Sequence, residues 1–259
     1  MKDDKLTPVE KVMKILAVLS EPPYEYKVAE VSANTGINRS TVHRILNELS
    51  AEDWVLQDRF TKKFKIGSMT YHVGTTYMNN NGYENRIIEI LNDASEKCKE
   101  SVGYSIREGD KVISLFEIEF YQPYKLNYHP GQFYPMNKGV YGKVLMAYHD
   151  ENKVRELLDK SHFEKTCPNT LTDKNDILRE YAQIRNRGYA ISDEEVAPLL
   201  VGVGVPVRNS KGVVKACIAA AFIKGPEYMN KIEYIKDVFF EAAKEISKYM
   251  LRARGEIFG

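Results

Sequence analysis

The chain has 259 residues, 43% hydrophobic and 28% charged, with a formal net charge of +1 at pH 7. That length predicts two domains or one large one, and the composition is that of an ordinary globular protein. A balance so near zero excludes a polybasic tail, so any affinity for nucleic acid has to come from a local surface.

Thr7-Pro8-Val9-Glu10 opens the first helix. The threonine is an N-cap, the proline takes the first helical position and the glutamate completes a capping box. Val12, Ile15, Leu16 and Leu19 form the apolar stripe, and Pro22-Pro23 ends the helix. Residues 27–35 predict a short second helix with Val28, Ala29 and Val31 inward, followed by a tight turn at Gly36. Asn38 then caps a third helix reaching about Asp53, in which Val42, Ile45, Leu46 and Leu49 share one face. The opposite face carries Arg39, Ser40, Thr41, His43, Arg44 and Asn47. All can hydrogen-bond phosphates or base edges, and such a helix fits the major groove of B-form DNA.

Residues 54–58 and 62–67 predict two short strands around Arg59-Phe60-Thr61. A hairpin directly after a recognition helix is a wing, and its basic tip, with Lys62 and Lys63, would lie against the phosphate backbone or an adjacent minor groove. From residue 37 to 66, six basic residues stand against four acidic ones, and the basic ones cluster on the helix and just after it. Trp54 reads as core between wing and helix. Residues 68–82 predict a linker helix with Met69, Val73 and Tyr77 on one face, stopped by Asn79-Asn80-Asn81-Gly82.

A longer amphipathic helix follows over 83–100, with Ile87, Ile90, Leu91, Ala94 and Cys98 inward. Residues 102–107 and 111–117 flank a hairpin at Glu108-Gly109-Asp110, and 119–129 predict a third strand ending at Pro130-Gly131. Residues 139–148 and 151–159 look helical. Residues 172–187 predict a helix capped by Thr172 and closed by Gly188. Strands are expected at 189–192, 201–208 and 213–222, with a turn at 209–212 and a final helix over 229–253. The second domain is thus a mixed sheet flanked by helices, large enough for its own core and a small ligand.

Cys98, Cys167 and Cys217 are too few and too scattered for a disulfide framework or a zinc knuckle. Met1-Lys2-Asp3-Asp4-Lys5 lacks the apolar core of a signal peptide, and the longest uncharged apolar-rich run, 196–207, is too short to span a bilayer. The expectation is a reduced, cytoplasmic protein with no cofactor, no metal and no membrane partner. Ser192-Asp193-Glu194-Glu195 lacks an accompanying nucleophile, histidine or metal pattern, so it reads as a cap or a ligand-orienting turn. Gly139-Val140-Tyr141-Gly142-Lys143 has the wrong spacing for a phosphate loop. Free N–H groups at a helix start there suit a ligand carboxylate.

In order and spacing, these segments resemble the IclR family of bacterial transcriptional regulators over nearly the whole chain. The resemblance rests on Glu10 to Leu16, Gly36 to Leu46, Lys65-Ile66-Gly67, Gly142 to Ala147, Thr170-Leu171-Thr172, Arg187 to Glu195, and Val205-Pro206-Val207 with Gly212-Val213-Val214. It implies an α+β chain: a winged helix-turn-helix domain (1–67), a linker helix (68–82) and a GAF-like, profilin-like α/β effector-binding domain (83–259). It implies homodimers through the N-terminal domain and linker, often paired into tetramers, and effectors that are small organic or aromatic acids.

By matching positions, the effector pocket involves Val140, Tyr141, Gly142, Ser192, Asp193, Gly202, Cys217, Ala219 and Ala221. Asn137 to Tyr141, Leu199 and the Cys217 to Ala221 run depart from the family pattern. A pocket lined by alanines and Tyr141 is expected to be less polar than usual. The function expected is operator binding modulated by such an effector. The alternatives are redox sensing through Cys217, or an enzyme of small-molecule turnover with an appended DNA-binding domain.

Overall fold

The capping box at Thr7 starts helix α1 (Pro8–Leu19): Thr7 Oγ1 accepts from the Glu10 N–H at 3.3 Å, and the Glu10 carboxylate accepts from the Thr7 N–H at 2.7 Å. The computed structural model describes residues 6–80, 85–121, 128–209 and 211–253, and the chain divides into two units, 1–83 and 84–259. In the first unit, α2 (Val28–Thr35) ends at Gly36, whose φ of 71° is the left-handed geometry that favours glycine. Helix α3 (Arg39–Ala51) follows. Strands β1 (Val55–Gln57) and β2 (Phe64–Ile66) pair antiparallel, and Tyr26 bridges to Phe64. Ile15, Leu19, Val31, Ile37, Val42, Ile45, Leu46, Val55 and Phe64 form the buried core. Two expectations shift here. Ala29 is exposed, and Trp54 is only half-buried, while Phe64 on the wing is fully buried in this core.

Helix α4 (Ser68–Asn80) buries none of its described side chains; Tyr71 is 77% and Val73 48% exposed. The predicted stop at Asn81-Gly82 lies outside the described residues.

The second unit runs α5 (Asn85–Cys98), β3 (Val102–Glu108), β4 (Lys111–Ile118), β5 (Phe133–Tyr134), α6 (Val140–Ala147), α7 (Glu151–Lys160), α8 (Lys174–Arg187), β6 (Ala190–Asp193), β7 (Leu200–Arg208), β8 (Val214–Ile223) and α9 (Tyr228–Ala253). Its sheet has the order β5-β4-β3-β8-β7-β6. Every described pairing is antiparallel, so the sheet is not mixed: short connections such as Gly109-Asp110 join neighbours as hairpins. Helices α5 and α9 pack together and against the sheet. Helix α6 packs with α8 and against β7 and β8, and its core includes Val154 and Leu158 of α7. Of the predicted strand at 119–129, residues 119–121 and 128–129 are not strand, and the rest lie outside the described residues. The edge position belongs to β5. Helix α8 is capped by Asp173 rather than Thr172; its carboxylate accepts from the N–H groups of Asn175 and Asp176, where the helix dipole favours a negative charge.

All eight residues of α6 are buried. The helix sits close on the sheet because β7 has glycine beneath it. A Cβ at Gly202 would lie 3.3 Å from Val140 Cγ1, and one at Gly204 would lie 3.2 Å from Val140 Cβ and 3.1 Å from Ala219 Cβ.

Candidate functional site

The first surface is the outer face of α3. Asn38 Oδ1 accepts from the Ser40 N–H at 2.9 Å and from the Ser40 hydroxyl at 2.7 Å. The Ser40 hydroxyl proton therefore serves the cap. Arg39, His43, Arg44 and Asn47 are exposed and Thr41 is half-buried. Arg44 donates to Glu48 at 2.7 Å across one turn, with both side chains largely in solvent. Such a pair contributes little and is easily exchanged for a phosphate or base. His43 Nδ1 lies 3.5 Å from Asn47 Nδ2.

The wing is shaped by Asp58, whose Oδ1 accepts from the N–H groups of Phe60 and Thr61 and from the Thr61 hydroxyl; these bonds hold its carboxyl below the usual range. The turn leaves Lys62 exposed with φ 58° and Lys63 half-buried. It also leaves Phe60 94% exposed at the tip, a position the sequence reading did not single out. An aromatic flanked by Arg59 in a polar hairpin was the available signal.

The second site is a cavity of about 210 Å³ at the start of α6. Val140, Tyr141, Gly142 and Ala221 line it, with Glu117, Tyr128, Gln132, Phe133, Tyr134, Pro135, Lys138, Gly139, Val196 and Ala220. Of the other predicted pocket residues, Ser192, Asp193, Gly202, Cys217 and Ala219 are not in the wall. Gly202, Cys217 and Ala219 lie beneath α6, which covers them. Ser192 is buried within β6. Asp193 accepts from Lys224 at 2.6 Å and from the Tyr228 hydroxyl at 3.2 Å.

The cavity has the expected Tyr141 and alanines in its wall, and adds further aromatic rings and the charged groups Glu117 and Lys138. Ring centroids of Tyr134 and Tyr141 are 4.6 Å apart, and those of Tyr128 and Tyr134 6.1 Å. Glu117 reaches in from β4. Burial, reinforced by the nearby charge of Glu119, pushes its carboxyl up to about 7. Burial first, and then Glu117, raises the hydroxyls of Tyr128, Tyr134 and Tyr141 in turn. A Cβ at Gly103 of β3 would fall 1.8 Å from the Tyr141 hydroxyl and 2.3 Å from Glu117 Oε2, so glycine there leaves room for both. Sequence reasoning missed Glu117 because it stands alone in a strand, with no partner spaced along the chain.

The anion nearest the end of α6 is the chain's own. Glu195 accepts from the Gly139 N–H at 3.1 Å and from Lys143 Nζ at 2.5 Å. Lys143, 1% exposed, also donates to Glu180 at 3.2 Å and to the Ile191 carbonyl at 2.6 Å. Burial pushes the Glu195 carboxyl up, and Lys143 offsets part of that. Cys217 is fully buried and its thiol is pushed far up by burial, the opposite of a reactive cysteine. Among the described residues no three His, Cys, Asp or Glu side chains are grouped to hold a metal ion, and no helix is long and apolar enough to cross a membrane.

Two family models match the chain: an IclR helix-turn-helix domain over residues 8–59, and a bacterial transcriptional regulator IclR C-terminal domain over residues 76–248. Among curated proteins it is similar to the HTH-type transcriptional regulator KdgR of Dickeya chrysanthemi, 26% identical over 95% of this chain and 81% of that one. Among solved structures it is similar to an IclR transcriptional regulator from Alicyclobacillus acidocaldarius, with TM-score 0.81 and 23% identity over 95% of this chain and 99% of the other. It is also similar to an IclR homolog from Microbacterium hydrocarbonoxydans complexed with 4-hydroxybenzoate, with TM-score 0.74 and 17% identity over 95% and 100%.

Proposed function

The chain belongs to the IclR family of bacterial transcriptional regulators, and from that premise we propose how its two units divide the work. It is a DNA-binding regulator with a helix-turn-helix domain and an effector domain. In our reading α3 enters the major groove with Arg39, Ser40, Thr41, His43, Arg44 and Asn47, and Lys62 and Lys63 of the wing meet the backbone. The observation that carries this is the outer face of α3: polar and exposed, opposite a stripe packed on the wing.

Two copies are needed to read two half-sites, roughly 34 Å apart per helical turn. The apolar side chains that α4 leaves exposed support a dimer through this helix and the first unit, with a dimer of dimers as the larger assembly. The protein works in the cytoplasm, where its operator is.

The effector site is the cavity at α6, and the ligand class is an organic or aromatic acid. The Microbacterium relative was solved with 4-hydroxybenzoate. Lys138 and the first-turn N–H groups of α6 offer a carboxylate its partners. Ligand binding shifts the population between two arrangements of the operator-binding domains, to the extent of its differential affinity for them. We assign the second unit no catalysis: incubation with ligand is expected to return the ligand unchanged.

Arg44→Ala is expected to weaken binding to a duplex selected by the wild-type protein by about 1–3 kcal/mol. Unchanged affinity in an anisotropy titration would remove Arg44 from the interface.

A further inference from the structure

Glu117 Oε2 is fully shielded from solvent and has no hydrogen-bond partner among the described residues; Gln132 Oε1, in the same cavity wall, has none either. Most buried polar atoms are paired, so these two bare acceptors, with the Tyr134 hydroxyl unpartnered in the same wall among the described residues, require an explanation. The groups facing Glu117 do not provide it. Tyr128, Tyr134 and Tyr141 are rings whose hydroxyls it raises, and Glu119 is a like charge. The cation in the wall, Lys138, donates to Thr166 Oγ1 at 3.1 Å. A ligand carboxylate at this end of the cavity would meet a like charge, and an apolar group would leave both acceptors bare. A primary ammonium brings positive charge and up to three N–H donors, and electron-rich ring faces attract it.

We propose that the effector carries a primary ammonium group, held by Glu117 and Gln132 against the rings of Tyr134 and Tyr141. This rests on the reading of the α6 cavity as the effector site, and it adds a second pole to the ligand.

The test is calorimetric titration of the full-length protein, near pH 8, with 4-methylbenzylamine and with 4-methylbenzoate. The amine is expected to bind the wild type, with a loss of about tenfold or more in Glu117→Gln, the worth of one charge-assisted hydrogen bond. Glu119→Gln, which removes a neighbouring charge outside the wall, should bind as the wild type does. Equal affinity in Glu117→Gln, an equal loss in Glu119→Gln, or no binding of the amine up to about 10 mM overturns the proposal. The benzoate reports separately on the acid. If it binds and the amine does not, the ammonium pole falls and the acid reading stands. If only the amine binds, the reverse holds. Thermal unfolding of each variant excludes loss through misfolding.

Discussion

Two glutamates stand near the start of α6, Glu195 buried and Glu117 half-buried, and they are treated differently. Glu195 is enclosed by partners from its own chain: Lys143 on one oxygen and the Gly139 N–H on the other. Glu117 projects into a cavity between aromatic rings and has an oxygen with no partner among the described residues. Burial raises both carboxyls. The difference separates structure from site. A buried network completed within the chain holds an element in place, whereas an incomplete one beside a cavity is a place for something else to bind.

The largest effect should come from breaking the complete network. Lys143→Met leaves Glu195 without its cation, and among the described residues Glu180 keeps Arg187, at 2.8 Å, as its ion-pair partner. A buried pair broken on one side typically costs about 3–5 kcal/mol, read as a shift in the urea midpoint. A loss below about 1 kcal/mol would mean that the network does not seat α6. A smaller effect is expected on the other side of the comparison. Gly103→Ala puts a methyl where Glu117 Oε2 and the Tyr141 hydroxyl now sit. Overpacking of this kind costs about 1–3 kcal/mol, and the Glu117 carboxylate must swing away. Unaltered stability and ligand affinity would show that these two groups are not confined as described.

The same contrast explains what the sequence made legible. The helix-turn-helix could be read because its determinants are local. Thr7 with Glu10, Gly36, Asn38 and the Val42 to Leu49 stripe each act within one or two turns, at spacings that identify the element. The cavity at α6 is not local. Glu117 on β4, Tyr134 on β5 and Tyr141 on α6 meet only through the sheet order, and no spacing encodes that. Of the residues chosen by position matching, Val140, Tyr141, Gly142 and Ala221 line the cavity at α6. Position matching also chose Gly202, Cys217 and Ala219, which lie beneath α6 rather than in the cavity wall; Gly202 leaves room for Val140 to lie close on the strand. The Gly-Lys start of α6 invited an anion, and Glu195, more than fifty residues later, already occupies its first N–H. The third strand failed for a different reason: a tyrosine-rich run has strand propensity, but the residues described there do not pair, and β5 takes the edge.

The pH dependence of Glu117→Gln stability tests the central claim, that Glu117 is left unfinished by its own chain. The Glu117 carboxyl sits at about 7 when folded against an ordinary 4.5. Below the lower value it is protonated in both states and costs nothing. Between the two values the unfolded chain has given up the proton that the folded one keeps, so stability falls as pH rises and levels off above about 7, where the folded protein buries the charge. Without ligand, the variant's advantage over wild type in urea denaturation should therefore grow from near zero at about pH 4 to roughly 1–3 kcal/mol at about pH 8. A gap that stays constant across that range, or a wild type that is the more stable at the upper end, would contradict the account.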